Sequence, residues 1–165
     1  MERNLNKEEA IKKYKDLVED IKVCMFISST EETQSARPMM TIRVDDDGST
    51  WFFTSNNSGK VHEVEMDHTV RLLYAHPGKS SYMDVWGYAE IITDKDKMHE
   101  LWNPIVKAWF PNGVEDPNLC LLKIEPQLGH YWDNESGKMV QFLKILTSAA
   151  TGQQVSHGVQ GTLKP

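Results

Sequence analysis

The first twenty residues carry the spacing of an amphipathic helix. Apolar side chains recur three or four positions apart between Ala10 and Ile21, which gives an α-helix one apolar face. Asn6 and Glu9 stand three residues apart at the start of this stretch, a spacing typical of a capping box. The pattern therefore predicts a helix that begins after Asn6 and covers one end of the protein through its apolar side.

Alternating and aromatic stretches after this helix predict a sheet of antiparallel strands. Residues 37–44 alternate between two faces, and residues 50–55 are rich in aromatic side chains. Asp45-Asp46-Asp47-Gly48 between them is typical of a tight hairpin, because glycine accepts a positive φ angle. Short connections favour antiparallel neighbours. The predicted strands are 23–29, 37–44, 50–55, 69–76, 82–92, 119–125 and 129–132.

Short helical patterns and a polar end complete the organisation. Helices are predicted over residues 60–66, 96–102 and 104–109, and apolar residues 142–146 favour a further short helix. The residues from 152 onward lack periodicity and are rich in glycine, glutamine and small polar side chains. The sequence thus predicts one domain over residues 1–146 and a flexible C-terminal tail over residues 147–165.

Length and composition are those of a soluble globular domain. The 165 residues are 39% hydrophobic and 25% charged, and no apolar stretch approaches the roughly twenty residues of a membrane span. The N-terminus lacks an apolar signal region. With a net charge of −6, long-range attraction does not bring an anion to the protein, and we expect no nucleic-acid partner. Cys24 and Cys120 lie in apolar runs, which favours buried thiols in a reducing cytoplasm.

Cations and hydroxyls are concentrated around the second predicted hairpin. Arg37-Pro38-Met39 begins one strand, Phe53-Thr54-Ser55 ends the next, and Ser58 and Lys60 open the following helix. A helix N-terminus carries free N–H groups and partial positive charge, so a phosphate placed there is held by backbone donors and by Lys60. Taken singly, Arg37 is more typical of a solvated strand edge and Lys60 of a surface lysine. Their joint spacing favours a phosphorylated aromatic ligand.

Other chemistry has weaker support in the sequence. His62 and His68 are six residues apart, which misses the spacing that places two metal ligands on one helix face. A calcium-binding loop that includes the acidic turn needs an acidic residue two positions before Asp45, and Arg43 stands there. No serine lies in a nucleophile elbow of the Gly-x-Ser-x-Gly type. We therefore expect no metal site and no hydrolase centre.

The ordered motifs resemble those of the general stress protein family. That family belongs to the pyridoxamine 5'-phosphate oxidase-like group of FMN-binding split barrels. The resemblance spans residues 5–142 and rests on the order and spacing of several motifs. They are Arg37-Pro38-Met39, Phe53-Thr54, Ser58-x-Lys60, Trp86-Gly87-Tyr88-Ala89, Trp109-Phe110-Pro111-Asn112-Gly113, Asp116-Pro117 and Tyr131-Trp132-Asp133.

The resemblance implies a mainly β fold, a six-stranded antiparallel split β-barrel with flanking helices. It also implies a homodimer with the flavin at the subunit interface. The cofactor is expected to be FMN, with FAD possible. The residues assigned to cofactor binding on this basis are Arg37, Pro38, Met39, Phe53, Thr54, Ser55, Ser58, Lys60, Trp109 and Phe110. The aromatic members of this set, like Trp132, are equally typical of core or interface packing.

Two functional classes remain open at the level of sequence. The first is a flavin-dependent oxidoreductase, in which the cofactor carries the electrons and the protein supplies orientation and electrostatics. The second is a flavin-binding stress protein that stores or senses the cofactor without turnover. Oxidation of a vitamin B6 phosphate is a weaker third alternative, because no second set of basic residues stands out for another phosphate. No catalytic residue can be assigned from the sequence.

Overall fold

The fold is a curled antiparallel sheet with helices packed on it. The structure, a computed structural model, describes residues 5–133 and 159–163. The elements in chain order are α1 Lys7–Ile21, β1 Val23–Ser29, β2 Gln34–Met40, β3 Arg43–Val44, β4 Thr50–Ser55, α2 Gly59–Met66, β5 Thr69–His76, β6 Ser81–Ile92, α3 Lys95–Leu101, α4 Pro104–Trp109, β7 Leu119–Asp133 and β8 Val159–Leu163. A short 3₁₀ turn, Pro77–Lys79, joins β5 to β6.

The strand order explains why the sheet curls. The hydrogen-bonded order is β2-β1-β5-β6-β7-β4-β3, and β8 pairs with β7. β2 and β3 stand at opposite ends of this order, yet only Thr41 and Ile42 separate them along the chain. The sheet must therefore bend round until its two ends meet. The described residues form an eight-stranded sheet in which β3 and β8 are short, and its curled antiparallel form with flanking helices confirms the expected mainly β split-barrel architecture.

The curled sheet encloses one apolar core and carries a second on its outside. The larger core lies under α1 and includes Tyr14, Phe26, Phe52 and Leu122. The smaller core packs β4 and β7 against α3 and α4, and includes Phe53. β4 is buried on both faces because its alternate side chains enter different cores. Cys24 and Cys120 are buried free thiols, as their apolar surroundings predicted.

Several predicted elements have the bounds that the structure shows, whereas two strand predictions were wrong in their bounds. The first strand and the capping box of Asn6 with Glu9 are confirmed. The strand predicted over 37–44 is divided, because β1 begins at Val23 and offers no partner beyond Met40. The Thr41 amide instead donates to the Lys22 carbonyl at 2.8 Å, and the Ile42 amide donates to the Trp51 carbonyl of β4 at 2.9 Å.

The last long strand is continuous where the sequence predicted two. β7 runs from Leu119 to Asp133 and includes residues 126–128, which lay between the two predicted strands. The register between β6 and β7 shifts between Trp86 and Gly87, and Gly87 lies opposite Pro126. A β-bulge of this kind accommodates a residue that has no amide hydrogen to give to the ladder.

The C-terminal prediction was wrong for residues 159–163. These residues form β8, which pairs antiparallel with residues 129–133 of β7. The pairing supplies backbone hydrogen bonds that the local sequence pattern does not announce. The predicted helix at 142–146 and the boundary between 146 and 147 lie outside the described residues.

The described residues bear on two further questions, membrane-spanning helices and metal binding. None of the helices there is long and apolar enough to cross a membrane. The same residues hold no group of three or more histidine, cysteine, aspartate or glutamate side chains placed to bind a metal ion.

Candidate functional site

A cavity of about 380 Å³ lies between β2, the end of β4, α2 and α4. It gathers residues from segments as far apart as 23 and 110 in the chain. Nine of the ten residues expected to bind the cofactor line it, and the tenth, Arg37, does not. The nine are Pro38, Met39, Phe53, Thr54, Ser55, Ser58, Lys60, Trp109 and Phe110.

One wall of the cavity is apolar and aromatic. Phe53 is buried at its base and makes an edge contact with Trp102, with ring centres 5.6 Å apart. Phe110 lies next to Phe53 at 6.4 Å. Trp109, at the end of α4, is 72% exposed at the rim. An exposed indole beside a buried aromatic floor is a surface suited to contact with a flat ring.

The opposite end of the cavity is polar. β4 ends at Ser55, and a tight turn leads to Ser58, whose amide donates to the Ser55 carbonyl at 3.0 Å. Lys60 Nζ donates to Thr54 Oγ1 at 2.9 Å, and Thr54 Oγ1 lies 3.3 Å from Ser58 Oγ. The turn thus places three hydroxyls and one ammonium around the first turn of α2.

The start of α2 differs from the other α-helix starts in the described residues. Asn6, Asp94 and Asn103 each cap their helices with a side-chain hydrogen bond. Ser58 occupies the cap position of α2 but makes no such bond. A Cβ added to Gly59 would meet no atom within 4 Å, so packing does not demand glycine there. The first amide groups of α2 therefore lack the side-chain cap that the other described α-helices have.

Lys60 is a half-buried cation whose described hydrogen-bond partner is a hydroxyl group. Among the described residues no carboxylate lies within ion-pair distance of Lys60 Nζ, and its hydrogen-bond partner is the Thr54 hydroxyl. Burial lowers the pKa of Lys60, and the nearby charge of Arg37 lowers it further. Both effects would be relieved by an anion beside the ammonium group.

Arg37 lies outside the cavity lining and is bound to its own chain. Its Nη1 donates to Ser28 Oγ at 2.6 Å, and its Nη2 donates to Glu63 Oε2 at 3.1 Å. β2 alternates its side chains, and Arg37 points to the same side as Met39. The sequence identified the correct strand, but the neighbours of this guanidinium come from β1 and α2.

Four apolar residues complete the cavity and were missed by the sequence analysis. Met40 and Ile42 extend the alternation of β2, so their proximity to Pro38 was a usable signal. Val23 and Val106 are far from the hairpin in sequence, and only the packing of β1 and α4 brings them to the cavity.

The cavity adjoins an apolar outer face of the sheet. Val23 lies in register with Met40, and Met25 with Pro38, on the outward side of β1 and β2. The face continues over β6 and β7, where aromatic side chains alternate with buried ones. Its large exposed apolar members are Val23, Met25, Tyr82, Trp86, Tyr88 and Trp132.

An ion pair lies within this outer face. Arg71 binds Asp84 through two hydrogen bonds of 2.7 Å, and its guanidinium lies 4.9 Å from the ring of Trp86. Trp86 and Tyr88 are exposed on one side of β6, whereas Val85 and Ala89 are buried on the other.

Comparison with known proteins decides the family. A sequence profile described as "Pyridoxamine 5'-phosphate oxidase like" matches residues 9–156. The chain belongs to this family. General stress protein 26 of Bacillus subtilis is 31% identical over 77 residues, which are 45% of this chain and 54% of that protein. The chain thus spans about half the length of the curated relatives it matches.

Solved structures extend the likeness across the fold. A protein assigned to general stress protein 26 from Jannaschia sp. CCS1 has 26% identity and a TM-score of 0.75, covering 97% of this chain and all of that one. A general stress FMN/FAD binding protein from Xanthomonas citri has 30% identity and a TM-score of 0.68, covering 81% of this chain and 94% of that one. The resemblance to the general stress proteins is therefore confirmed.

Proposed function

We propose that this family member binds FMN in the cavity and acts as a flavin-dependent oxidoreductase. The observation that carries the proposal is Lys60, a half-buried ammonium group without an ion-pair partner in the described residues, at one end of an aromatic cavity. A buried cation is unfavourable unless it is paired. A phosphate joined to a flat ring system matches the polar end of the cavity with its phosphate and the aromatic end with its ring.

The residues present fit the two parts of FMN. Thr54, Ser55, Ser58 and Lys60 would hold the phosphate, together with the first amide groups of α2. Phe53, Phe110 and Trp109 would contact the ring. When bound, FMN supplies the electron or hydride transfer, and the chain orients it and excludes water. The Xanthomonas citri relative, described as binding FMN or FAD, supports a flavin ligand.

The charge of the cavity lining favours FMN over FAD. It also favours one bound phosphate-bearing ligand over two bound at the same time. Lys60 is the one cation among the described lining residues. A single charged site suits one phosphomonoester, and this also leaves vitamin B6 phosphate oxidation with less support.

We propose in addition that the cofactor site is shared between two copies of the chain. Val23, Pro38 and Met40 line the cavity and also belong to the outer sheet face, so a second copy seated on that face would cover the cavity. Exposed aromatic side chains of β6 and β7 would be buried by the same contact. Large contiguous apolar surfaces of this kind mark interaction sites.

Replacement of Lys60 tests the phosphate assignment. Lys60→Ala should weaken FMN binding by about tenfold or more, because a charge-assisted contact contributes about 1.5 to 3 kcal/mol. Riboflavin, which lacks the phosphate, should bind almost unchanged. Fluorescence titration of both ligands measures the two affinities, and Lys107→Ala, an exposed lysine on α4, is the matched control. Equal losses for both ligands would refute the phosphate role.

Turnover separates the oxidoreductase from a storage or sensing protein. The described cavity lining has no histidine, aspartate or glutamate, and because the flavin itself carries the electrons this feature does not discriminate between the two classes. For the oxidoreductase, FMN-loaded protein should oxidise NADH or NADPH, and Lys60→Ala should reduce the rate in proportion to the FMN it loses. Tight FMN binding with no oxidation above that of free FMN would instead identify the cofactor-storing or sensing class.

A further inference from the structure

A polar cluster behind the cavity joins three elements. The carboxylate of Glu63 on α2 accepts hydrogen bonds from Ser28 on β1, from Ser35 at 3.0 Å and from Arg37 at 3.1 Å, the last two on β2. Arg37 also donates to Ser28 at 2.6 Å. Burial acts to raise the pKa of Glu63, but these hydrogen bonds hold it below its ordinary value. The Glu63 carboxylate is therefore ionised at neutral pH and accepts three hydrogen bonds.

Among the described residues, Glu63 is the α2 side chain that forms hydrogen bonds to the β1–β2 hairpin. Of the eight residues of α2, only Val61 and Val64 are buried. The other described side-chain hydrogen bonds at the start of this helix join Ser58 and Lys60 to Thr54 on β4. Glu63 stands one turn beyond Lys60, so the same short helix that presents Lys60 to the cavity is fixed by Glu63 at its back.

A negative charge this close to a proposed anion site needs a reason. Direct electrostatics would make Glu63 repel a bound phosphate, and its removal would then strengthen binding. The three hydrogen bonds suggest a different balance, in which the geometry that Glu63 imposes on α2 outweighs the repulsion. The two effects have opposite signs and can be separated by experiment.

We propose that Glu63 is a positioning residue for the phosphate end of the site: through Ser28, Ser35 and Arg37 it fixes α2 so that Lys60 and the first amides of the helix converge in the cavity. The assignment rests on the proposed FMN function. Arg37 in this role acts through Glu63, to which its guanidinium donates.

Flavin affinities test the sign of the effect. Glu63→Ala should weaken FMN binding about fivefold or more, equivalent to about 1 kcal/mol, and change riboflavin binding less than about twofold. Glu63→Gln, whose amide oxygen can still accept from the serines, should recover part of the loss. Glu65→Ala, an exposed glutamate on the same helix, should have no effect. Stronger or unchanged FMN binding by Glu63→Ala would overturn the proposal.

Hydrogen exchange tests the positioning without any flavin. In the ligand-free protein, Glu63→Ala should speed exchange of the amides of residues 59–66, whereas Glu65→Ala should not. A protein that binds no FMN but shows this difference would defeat the proposed function and retain the positioning role. Equal protection in the two variants would overturn that role even if FMN binds. If Glu63→Ala does not fold, Ser35→Ala removes one of the three donors and has the same expected order of effects.

Discussion

At Lys60, the stability of the ligand-free protein and the binding of an anion place opposite demands on one side chain. Its ammonium group is half-buried and donates a hydrogen bond to the Thr54 hydroxyl. Burial and the nearby Arg37 charge both disfavour its charged form. Such an arrangement weakens the ligand-free protein and strengthens it once an anion binds. Functional sites often carry groups that the fold alone would not select.

The stability of a Lys60→Met variant measures this conflict. Because the folded-state pKa of Lys60 is lowered, the unfavourable term is fully present below that pKa and disappears as pH rises through the window up to its ordinary value of 10.5. At neutral pH the variant should therefore be more stable without ligand, with Tm raised by about 2 °C or more.

Calorimetry at two pH values checks this expectation. The gain should shrink at alkaline pH, and Lys107→Met on the exposed side of α4 should show neither the gain nor its pH dependence. With saturating FMN the order should reverse, since only the natural protein pairs Lys60 with the phosphate. A variant that is less stable than the natural protein at neutral pH would show that the Lys60 charge is already compensated.

At the scale of elements, the connections between strands place the site. β2 loses its partner after Met40, the chain crosses to β4 through Thr41 and Ile42, and the crossing forms one side of the cavity. β4 then ends at Ser55, and the turn into α2 brings Lys60 back towards Thr54. The site thus occupies the region where the curled sheet changes from one end of its strand order to the other.

Close backbone contact between β6 and β7 is a second requirement at this scale. A Cβ added to Gly87 would lie 2.7 Å from the Glu125 carbonyl oxygen and 3.0 Å from a methyl group of Ile124. Any larger residue would push the two strands apart at the register shift. Trp86 and Tyr88 on either side then face outward together, because the bulge preserves the alternation of β6 around Gly87.

For the whole molecule, the outer sheet face is the dominant surface feature. Tyr88 is 55% exposed and Trp86 38%, and both belong to a face that also carries the Arg71–Asp84 pair. Each copy has a net charge of −6, so two copies repel at long range and must associate through short-range apolar contact. We therefore expect an obligate homodimer with linked FMN binding.

A charge introduced at Tyr88 tests this linkage. Tyr88→Glu should shift the protein from dimer to monomer in sedimentation velocity and weaken FMN binding at least tenfold, about 1.4 kcal/mol, because the cavity loses its cover. In the natural protein, FMN should raise the thermal midpoint in a manner that depends on protein concentration. Thr93→Glu, an exposed position outside the outer face, is the control. A monomer that binds FMN at full stoichiometry would contradict the shared site.

The sequence by itself determined the elements whose signals are local. The capping box of α1, the strand at 69–76, the helix at 104–109 and the turn at Gly48 follow from spacing, cap residues and the φ angle of 89° at Gly48. Nine residues of the cavity lining had been assigned from the resemblance to the general stress proteins, and most of them belong to two adjacent hairpin segments and the helix that follows.

Only the tertiary structure decided the features that depend on a distant partner. Arg37 faces Glu63 and Ser28, whose positions relative to β2 depend on how α2 and β1 pack. Val23 and Val106 reach the cavity through packing, and residues 159–163 become a strand because β7 offers an open edge. Local patterns record propensity and burial, whereas strand partners, ion-pair partners and cavity walls arise from long-range contacts that short spacing does not encode.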